Sequence, residues 1–304
     1  MRFNGSRRAN RAAKAKANCD ATRRRTKSAE GRRRQSVSWQ KGRGVEKPKT
    51  KERVFVSVVI PAYDEELHIG STILSIAEYA EAKGWRYDVI VVDDGSSDST
   101  VSEAERAGET VRVLRNRVNR GKGYSVRRGM LASRGDFVLF SDADLSTPIY
   151  ELDRFLEEAQ EGCDVVIGSR ALANSKIEVH QPIYRELMGK AFNLVLRSLG
   201  LSHFRDTQCG FKLFSRRAAE AVFPLAMINR FAFDVEILLI AQRRGLRIRE
   251  LPVHWRDSLP SKVSLVQDSL MMFFDVLKLR LSRVGYQKRH NELGGAKGEL
   301  PLTM

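Results

Sequence analysis

Five short runs of β-branched and other apolar residues punctuate this chain, at positions 54–60, 87–92, 111–114, 137–140 and 164–169. Strands built from such runs have no polar face to turn to water, so both sides must be covered. Segments of helical character separate them, and crossover connections of that kind lay helices over both faces of a parallel sheet. The expected fold class is therefore α/β, a Rossmann-like, mostly parallel sheet with helices on both faces. Helical spacing is clearest after the first run, where Ile69, Ile73, Ile76, Ala77 and Ala80 recur before Gly84. Segments 99–107, 119–135 and 147–162 continue the alternation, the last with Thr147 as expected N-cap and Pro148 at the first helical position.

Beyond residue 170 the pattern loosens. Positions 183–200 predict a helix, apolar at Ile183, Leu187, Ala191, Leu194 and Val195. A polar loop running into a short strand is expected over 205–214, a helix over 233–244 stopped by Gly245, and a strand over 246–255. The chain divides into a disordered basic arm (1–53), the main α/β domain (54–262), an amphipathic segment suited to a membrane interface (263–285) and a flexible tail (286–304).

The formal charge of +16 suggests a nucleic-acid binder until its distribution is read. Residues 1–53 hold 19 Lys/Arg and 4 Asp/Glu, a net of +15, which leaves 34 basic and 33 acidic residues, a net of +1, for the rest. The body is nearly neutral and carries no RNA-binding motif, so nucleic acid is an unfavoured partner. The arm lacks the apolar content to fold alone and suits an anionic surface. Cys19, Cys163 and Cys209 form neither a metal spacing nor an even disulfide set, which fits a reducing cytosol. No apolar run approaches the ~20 residues of a membrane-spanning helix, and no signal-peptide core stands at the N-terminus. A protein that is soluble, or that lies on the cytoplasmic face of a membrane without crossing it, is expected.

Function is concentrated where strands end. Asp142 and Asp144 follow the run at 137–140 directly, and in an open α/β sheet ligands bind outside the carboxyl ends of the strands. Two hard oxygen ligands there suit Mg²⁺ or Mn²⁺ shared with a substrate diphosphate; the plainer alternative is an acidic turn before a helix. The loops at 61–66 and 93–98 leave neighbouring strands, and their carboxylates can accept hydrogen bonds from a base or a ribose. Gly121, Lys122 and Gly123 open a helix whose N–H groups and ammonium can face phosphate. The G-x-x-x-x-G-K-[ST] and G-x-G-x-x-G patterns are both absent.

In order, Pro61-Ala-Tyr63-Asp-Glu65, Val-Val-Asp93-Asp94-Gly-Ser-Ser-Asp98, Asn119-Arg-Gly121-Lys122-Gly123 and Asp142-Ala-Asp144 resemble the family 2 inverting glycosyltransferases of the GT-A fold, over residues 54–262. Within that family, positions 206–214 and 231–236 are similar to the dolichyl-phosphate β-glucosyltransferases, with polyprenyl-phosphate mannosyl- and glycosyltransferases as near relations. The resemblance implies a nucleotide-sugar donor such as UDP-glucose, Mg²⁺ or Mn²⁺, and a polyprenyl phosphate acceptor. It implies that Pro61, Tyr63, Glu65 and Asp93 hold the nucleotide with help from Asp94, and that Asp142 and Asp144 handle diphosphate and metal. Arg170, Arg185 and Arg256 fall where related enzymes place cations around the acceptor phosphate. Two departures stand out. A basic arm replaces the N-terminal anchor of the eukaryotic glucosyltransferases, and Ser146 stands where the mannosyltransferases place glutamine.

Inverting transfer to a phosphate oxygen is an in-line displacement at the anomeric carbon. A phosphate monoester is largely dianionic at pH 7, so no strong base is required. Asp206 is the candidate for positioning or base work, with Asp234 and Glu236 behind it; for Asp234 a plain helix-end role competes. A lipid acceptor would bring 183–200 and 265–283 to the bilayer, the latter with residues 270–274 beside Lys278, Arg280 and Arg283. The alternatives are a soluble family 2 enzyme with a small phosphorylated or sugar acceptor, and a nucleic-acid binder built on the arm. Deleting residues 1–50 separates the last from the others: sugar transfer by the truncated protein should persist, and a transfer assay beside an RNA-binding assay reads both.

Overall fold

A computed structural model describes residues 54–177 and 204–256, together with Asp275. The expected arm (1–53), the helix at 183–200 with Arg185, the amphipathic segment (263–285) and the tail (286–304) lie outside the described residues. The strands are β1 (Phe55–Ala62), β2 (Arg86–Asp93), β3 (Val111–Arg115), β4 (Phe137–Ser141), β5 (Val165–Ser169), β6 (Lys176–Ile177), β7 (Phe211–Ser215), β8 (Ile248–Pro252) and β9 (His254–Trp255). Seven form one sheet in the order β3-β2-β1-β4-β7-β5-β8, and β6 pairs with β9 separately. All neighbours in the large sheet are parallel except β7, which runs antiparallel to β4 and β5. β4 and β5 are buried along nearly their whole length, as runs without a polar face require.

The helices are α1 (Ile69–Ala82), α2 (Thr100–Arg106), α3 (Lys122–Ala132), α4 (Leu152–Gln160), α5 (Arg216–Val222) and α6 (Phe233–Arg243). Burial of Ile69, Thr72, Ile73, Ile76 and Ala80 on α1 follows the spacing read from the sequence. One face of the sheet packs Val59, Val92 and Phe140 against α3, α5 and α6. The other packs Val58, Val91 and Leu139 against α1 and α4. Edge-to-face ring pairs tie both layers to the sheet: Phe140 with Phe233 (5.7 Å) and Phe155 with Phe211 (5.0 Å).

Three features differ from the sequence expectation. After Pro148 the chain enters a short 3₁₀ turn, Ile149–Glu151, before α4, and Thr147 makes no cap hydrogen bond. Its hydroxyl instead faces Cys209 Sγ at 3.8 Å. α5, seven residues capped by Ser215 Oγ on the Ala218 N–H, had no apolar period long enough to announce it. The antiparallel sense of β7 was likewise unmarked, because a strand buried on both faces looks the same in either direction.

α3 approaches the sheet closely because Gly129 faces it. A Cβ there would lie 2.3 Å from Val59 Cγ1 and 3.0 Å from Val92 Cγ2. Gly129→Ala would gain about 1 kcal/mol of helix propensity, whereas forcing a methyl into a packed interface costs about 1–3 kcal/mol. Net destabilisation of about 1 kcal/mol is expected in urea unfolding, with Lys122 at the start of the same helix displaced from its partner.

Candidate active site

The sheet order places a crevice. From β1 the chain steps outward to β2 and β3, then returns to the other side of β1 as β4. Adjacent strands whose connections leave in opposite directions part at their carboxyl ends. Pro61 to Glu66 line one side of this opening and Asp142 to Ser146 the other.

The 61–66 and 93–100 loops are laced together. The Asp64 N–H donates to Ser96 Oγ (2.9 Å) and Asp64 Oδ1 accepts from the Ser97 N–H (2.8 Å). The Glu65 N–H donates to Thr100 Oγ1 (2.7 Å), and Glu66 and Asp98 complete the seam. Asp64 adopts φ 52°, in the left-handed region where aspartate is tolerated. Tyr63 is exposed beside it. Asp93 is buried and accepts from the Ser96 N–H at 3.1 Å.

Asp94 turns into the protein. Its carboxylate accepts from Asn116 Nδ2 (2.7 Å) and from the N–H groups of Arg120 (2.9 Å) and Gly121 (2.8 Å). The Gly121 N–H, expected from the sequence to face phosphate, is therefore directed at Asp94. The two glycines serve another purpose. A Cβ on Gly121 would meet the Asn229 carbonyl oxygen at 2.4 Å, and one on Gly123 the Ile228 carbonyl oxygen at 2.4 Å. They let the 228–230 turn lie against the start of α3. Glu236 holds that turn by accepting from the Met227 and Ile228 N–H groups (2.9 and 2.8 Å).

The loop carrying Asp142 and Asp144 is fixed from three sides. The Asp142 N–H donates to the Gly210 carbonyl (3.1 Å), extending the β4–β7 ladder past its end. Thr72 Oγ1, on α1, donates to the Ala143 carbonyl (2.6 Å). The Arg256 N–H donates to the Ser146 carbonyl (2.9 Å). Leu145 takes φ 47° to make the turn. Ser146 then donates to both oxygens of Asp144, through its N–H (2.9 Å) and its hydroxyl (2.7 Å). Because β7 runs antiparallel, its first residues sit at this same edge. Gly210 faces Asp142 so closely that a Cβ would fall 1.8 Å from Oδ2.

Charges alternate behind the pair. Lys122 Nζ lies 2.6 Å from Asp142 Oδ1. This is an ion pair rather than an aligned hydrogen bond, and that buried oxygen accepts no hydrogen bond among the described residues. Burial opposes the charge on Lys122, but Asp142, Asp234 and Asp144 outweigh it and hold its pKa above the ordinary lysine value. Asp234 is itself gripped by Lys212, fully buried on β7, at 2.5 Å, and Lys212 Nζ also donates to the Cys209 carbonyl. Burial raises the Asp234 carboxyl, the two lysines opposing it only in part.

On the far side of Asp142, Arg170 and Asp206 form a two-pronged pair, Nε to Oδ2 at 2.7 Å and Nη2 to Oδ1 at 3.0 Å. Asp206 also accepts from the N–H groups of Arg170 and Gln208, both at 3.0 Å. Burial alone would raise its pKa; the guanidinium overrides that and holds it at about 2. The guanidinium lies 5.5 Å from the Trp255 ring centre. An ionised, fully hydrogen-bonded carboxylate of this kind suits positioning better than proton abstraction.

Among the described residues no cluster of three or more His, Cys, Asp or Glu is placed to hold a metal. The oxygens of Asp142 and Asp144 nonetheless fit a hard divalent cation that completes its shell from a bound diphosphate. The observation that favours such a fit is that Asp142 Oδ1 accepts no aligned hydrogen bond among the described residues and is matched there by the Lys122 ammonium at 2.6 Å. Sequence reasoning passed over Thr72, Gly210 and Lys212. A threonine on the apolar stripe of α1 and a lysine within a buried strand were the available signals, since each breaks its pattern.

A Rossmann-like sheet with a carboxylate pair at its switch-point crevice, backed by a lysine at a helix start, is the architecture of a GT-A glycosyltransferase. The chain belongs to glycosyl transferase family 2, whose family model matches residues 57–223. It is 33% identical over 246 residues to a dolichyl-phosphate beta-glucosyltransferase of Dictyostelium discoideum, covering 75% of each chain. It is 36% identical over 242 residues to the Homo sapiens dolichyl-phosphate beta-glucosyltransferase, covering 74% of this chain and 75% of that one. Among solved structures it is similar to glucosyl-3-phosphoglycerate synthase from Mycobacterium tuberculosis in complex with Mn²⁺, UDP and glucosyl-3-phosphoglycerate. The TM-score is 0.58 at 26% identity, over 76% of this chain and 80% of that one.

The low pKa of Asp206 links stability to pH. Its folded value of about 2 lies below the ordinary 3.8, so the stabilisation is present above the ordinary value and is lost as pH falls through the folded one. At 1.36 kcal/mol per pKa unit this is about 2 kcal/mol. Urea unfolding from about pH 5 down to about pH 2 should show that loss. Asp206→Asn should be less stable at the upper end of that range, because Arg170 is left buried without its partner, and should converge on the wild type at the acid end through a flatter acid limb.

Proposed function

We propose that this protein transfers glucose from UDP-glucose to a polyprenyl phosphate of the dolichyl type, with inversion, at the cytoplasmic surface of a membrane. Mg²⁺ or Mn²⁺ held by Asp142 and Asp144 belongs to the same reading. The observation that carries the chemistry is the rigid Asp142–Asp144 turn at the crevice with the Lys122 ammonium 2.6 Å away. Sugar and acceptor are proposed from the relatives, whose names specify glucose and dolichyl phosphate over three quarters of the chain.

Pro61, Tyr63, Glu65 and Asp93 line the nucleotide side. Asp94 acts there indirectly, by fixing the Arg120–Gly121 turn through which Lys122 is presented. A divalent ion bound by Asp142 and Asp144 supplies Lewis-acid neutralisation of the departing diphosphate, worth several kcal/mol. Lys122 adds a point charge at the same place. Gly210 and Thr72 keep the Asp142–Asp144 turn from swinging as charge develops, so little reorganisation is required.

The acceptor phosphate, dianionic at pH 7, approaches from the side of Arg170 and Arg256, with Arg185 as a third candidate. Asp206 orients Arg170 and leaves Nη1 for the incoming oxygen. Asp234 and Glu236 support Lys122 and the 227–228 turn rather than accept a proton from substrate. A second reading, a small phosphorylated acceptor, is favoured by the likeness to the synthase whose bound product is glucosyl-3-phosphoglycerate. Both acceptors present a phosphate-bearing molecule to one site.

A donor screen with Mg²⁺ or Mn²⁺ tests the reading, offering short polyprenyl phosphates and 3-phosphoglycerate side by side. UDP-glucose with the lipid phosphate should give the highest kcat/KM; preference for phosphoglycerate would replace the first reading with the second. Asp144→Asn should lower kcat by about 100-fold or more, which is about 2.7 kcal/mol at 1.36 kcal/mol per decade. Equal turnover by that variant would remove the metal role.

A further inference from the structure

We infer that Lys212 is a positioning residue for the donor side of the crevice: it occupies Asp234, and so keeps that buried carboxylate from drawing Lys122 inward. The inference rests on the proposed place of Lys122 beside the donor's diphosphate and adds the group that keeps it there. Lys212 lies within β7 with no exposed surface. Desolvating an ammonium is costly, and well-packed apolar residues in place of a buried ion pair often serve stability as well or better. Stability alone does not select a lysine at this position.

Two ammoniums and two carboxylates meet around Phe140. Lys212 Nζ stands 2.5 Å from Asp234 Oδ1 and donates to the Cys209 carbonyl at 2.5 Å. Lys122 Nζ stands 2.6 Å from Asp142 Oδ1. Both ammoniums lie 5.6 Å from the centre of the Phe140 ring, and the charge of Asp234 acts on both.

The two carboxylates differ in setting. Asp234 is buried, whereas the side chain of Asp142 is partly exposed. A charge pair gains more where water is excluded, so an unmatched Asp234 would win a cation on a flexible stem from Asp142. With Lys212 in place, Asp234 already has its cation and Lys122 stays at the crevice. Remove the Lys212 charge and Lys122 turns towards Asp234, out of reach of a diphosphate.

UDP binding to the full-length protein, measured by calorimetry with Mg²⁺ present, tests this without turnover, and near-ultraviolet circular dichroism reports the fold. Lys212→Gln keeps a donor for Cys209 and Asp234 but loses the charge, and should bind UDP about tenfold more weakly than wild type, an ordinary coupling between neighbouring residues. Lys212→Gln combined with Asp234→Asn should return to within about threefold of wild type, because nothing buried then competes for Lys122. The two proteins differ by one charge at position 234, so that recovery separates positioning from packing; a purely structural Lys212 predicts a double variant at least as weak as the single one. Lys212→Met should repeat the single-variant loss and replaces the glutamine variant if that does not fold. Wild-type affinity in either folded single variant overturns the inference, and so does a folded double variant that stays weak. Lys122→Met checks the reading beneath: if it binds UDP as tightly as wild type, Lys122 does not meet the diphosphate, and that role fails together with the inference.

Discussion

Gathering carboxylates at one edge of a sheet is unfavourable unless each is matched, because a buried charge without a partner costs several kcal/mol. Asp94, Asp142, Asp206 and Asp234 all stand at the carboxyl edge of this sheet or just behind it, and each is answered differently. Asp94 is met by backbone N–H groups and an amide. Asp206 is met by a guanidinium in a two-pronged contact, and Asp234 by a fully buried ammonium. Asp142 alone of these four is matched through a half-exposed lysine and keeps an oxygen without a hydrogen bond. The matching thus leaves Asp142 balanced by an ammonium on a flexible stem, while the others hold the frame.

That frame depends on β7. Running antiparallel between β4 and β5, it delivers its first residues to the edge where β4 ends. Its approach places Cys209 and Gly210 beside Asp142, and Lys212 beneath α6. A parallel strand in the same position would have brought its last residues there and turned Gly210 to the opposite edge. The remaining neighbours of β4 and β5 obey the parallel rule, so one reversed strand is enough to supply the inner wall of the crevice.

The sequence made the parallel part of this legible and the reversed part opaque, for a physical reason. Runs 54–60, 87–92 and 137–140 lacked a polar face, and helical spacing between them fixed crossovers, sheet class and the edge at which loops gather. Strand direction at β7 depends on what the chain does between β5 and β7, where apolar spacing predicts a helix but no geometry. The site divided along the same line. Asp142, Asp144, Asp93 and Lys122 were readable because they follow strands or open a helix. Asp94 was readable as a strand-end carboxylate but not as one turned inward, since its three partners are two backbone N–H groups and Asn116. Thr72 and Gly210 act through backbone contacts that no side-chain pattern displays.

The acceptor side follows from the charge already spent. Arg170 is oriented by Asp206 and electrically balanced by it, so this pair contributes geometry more than net attraction for a phosphate dianion. Arg256 is exposed, and its N–H is joined to Ser146, two residues beyond Asp144. A cation tied through its main chain to the Asp142–Asp144 turn shares the rigidity of that turn, whatever its side chain contacts. An acceptor phosphate held there would be referenced to the same backbone as the leaving diphosphate. In-line displacement demands that alignment of attacking and departing oxygens, and a shared anchor would favour it.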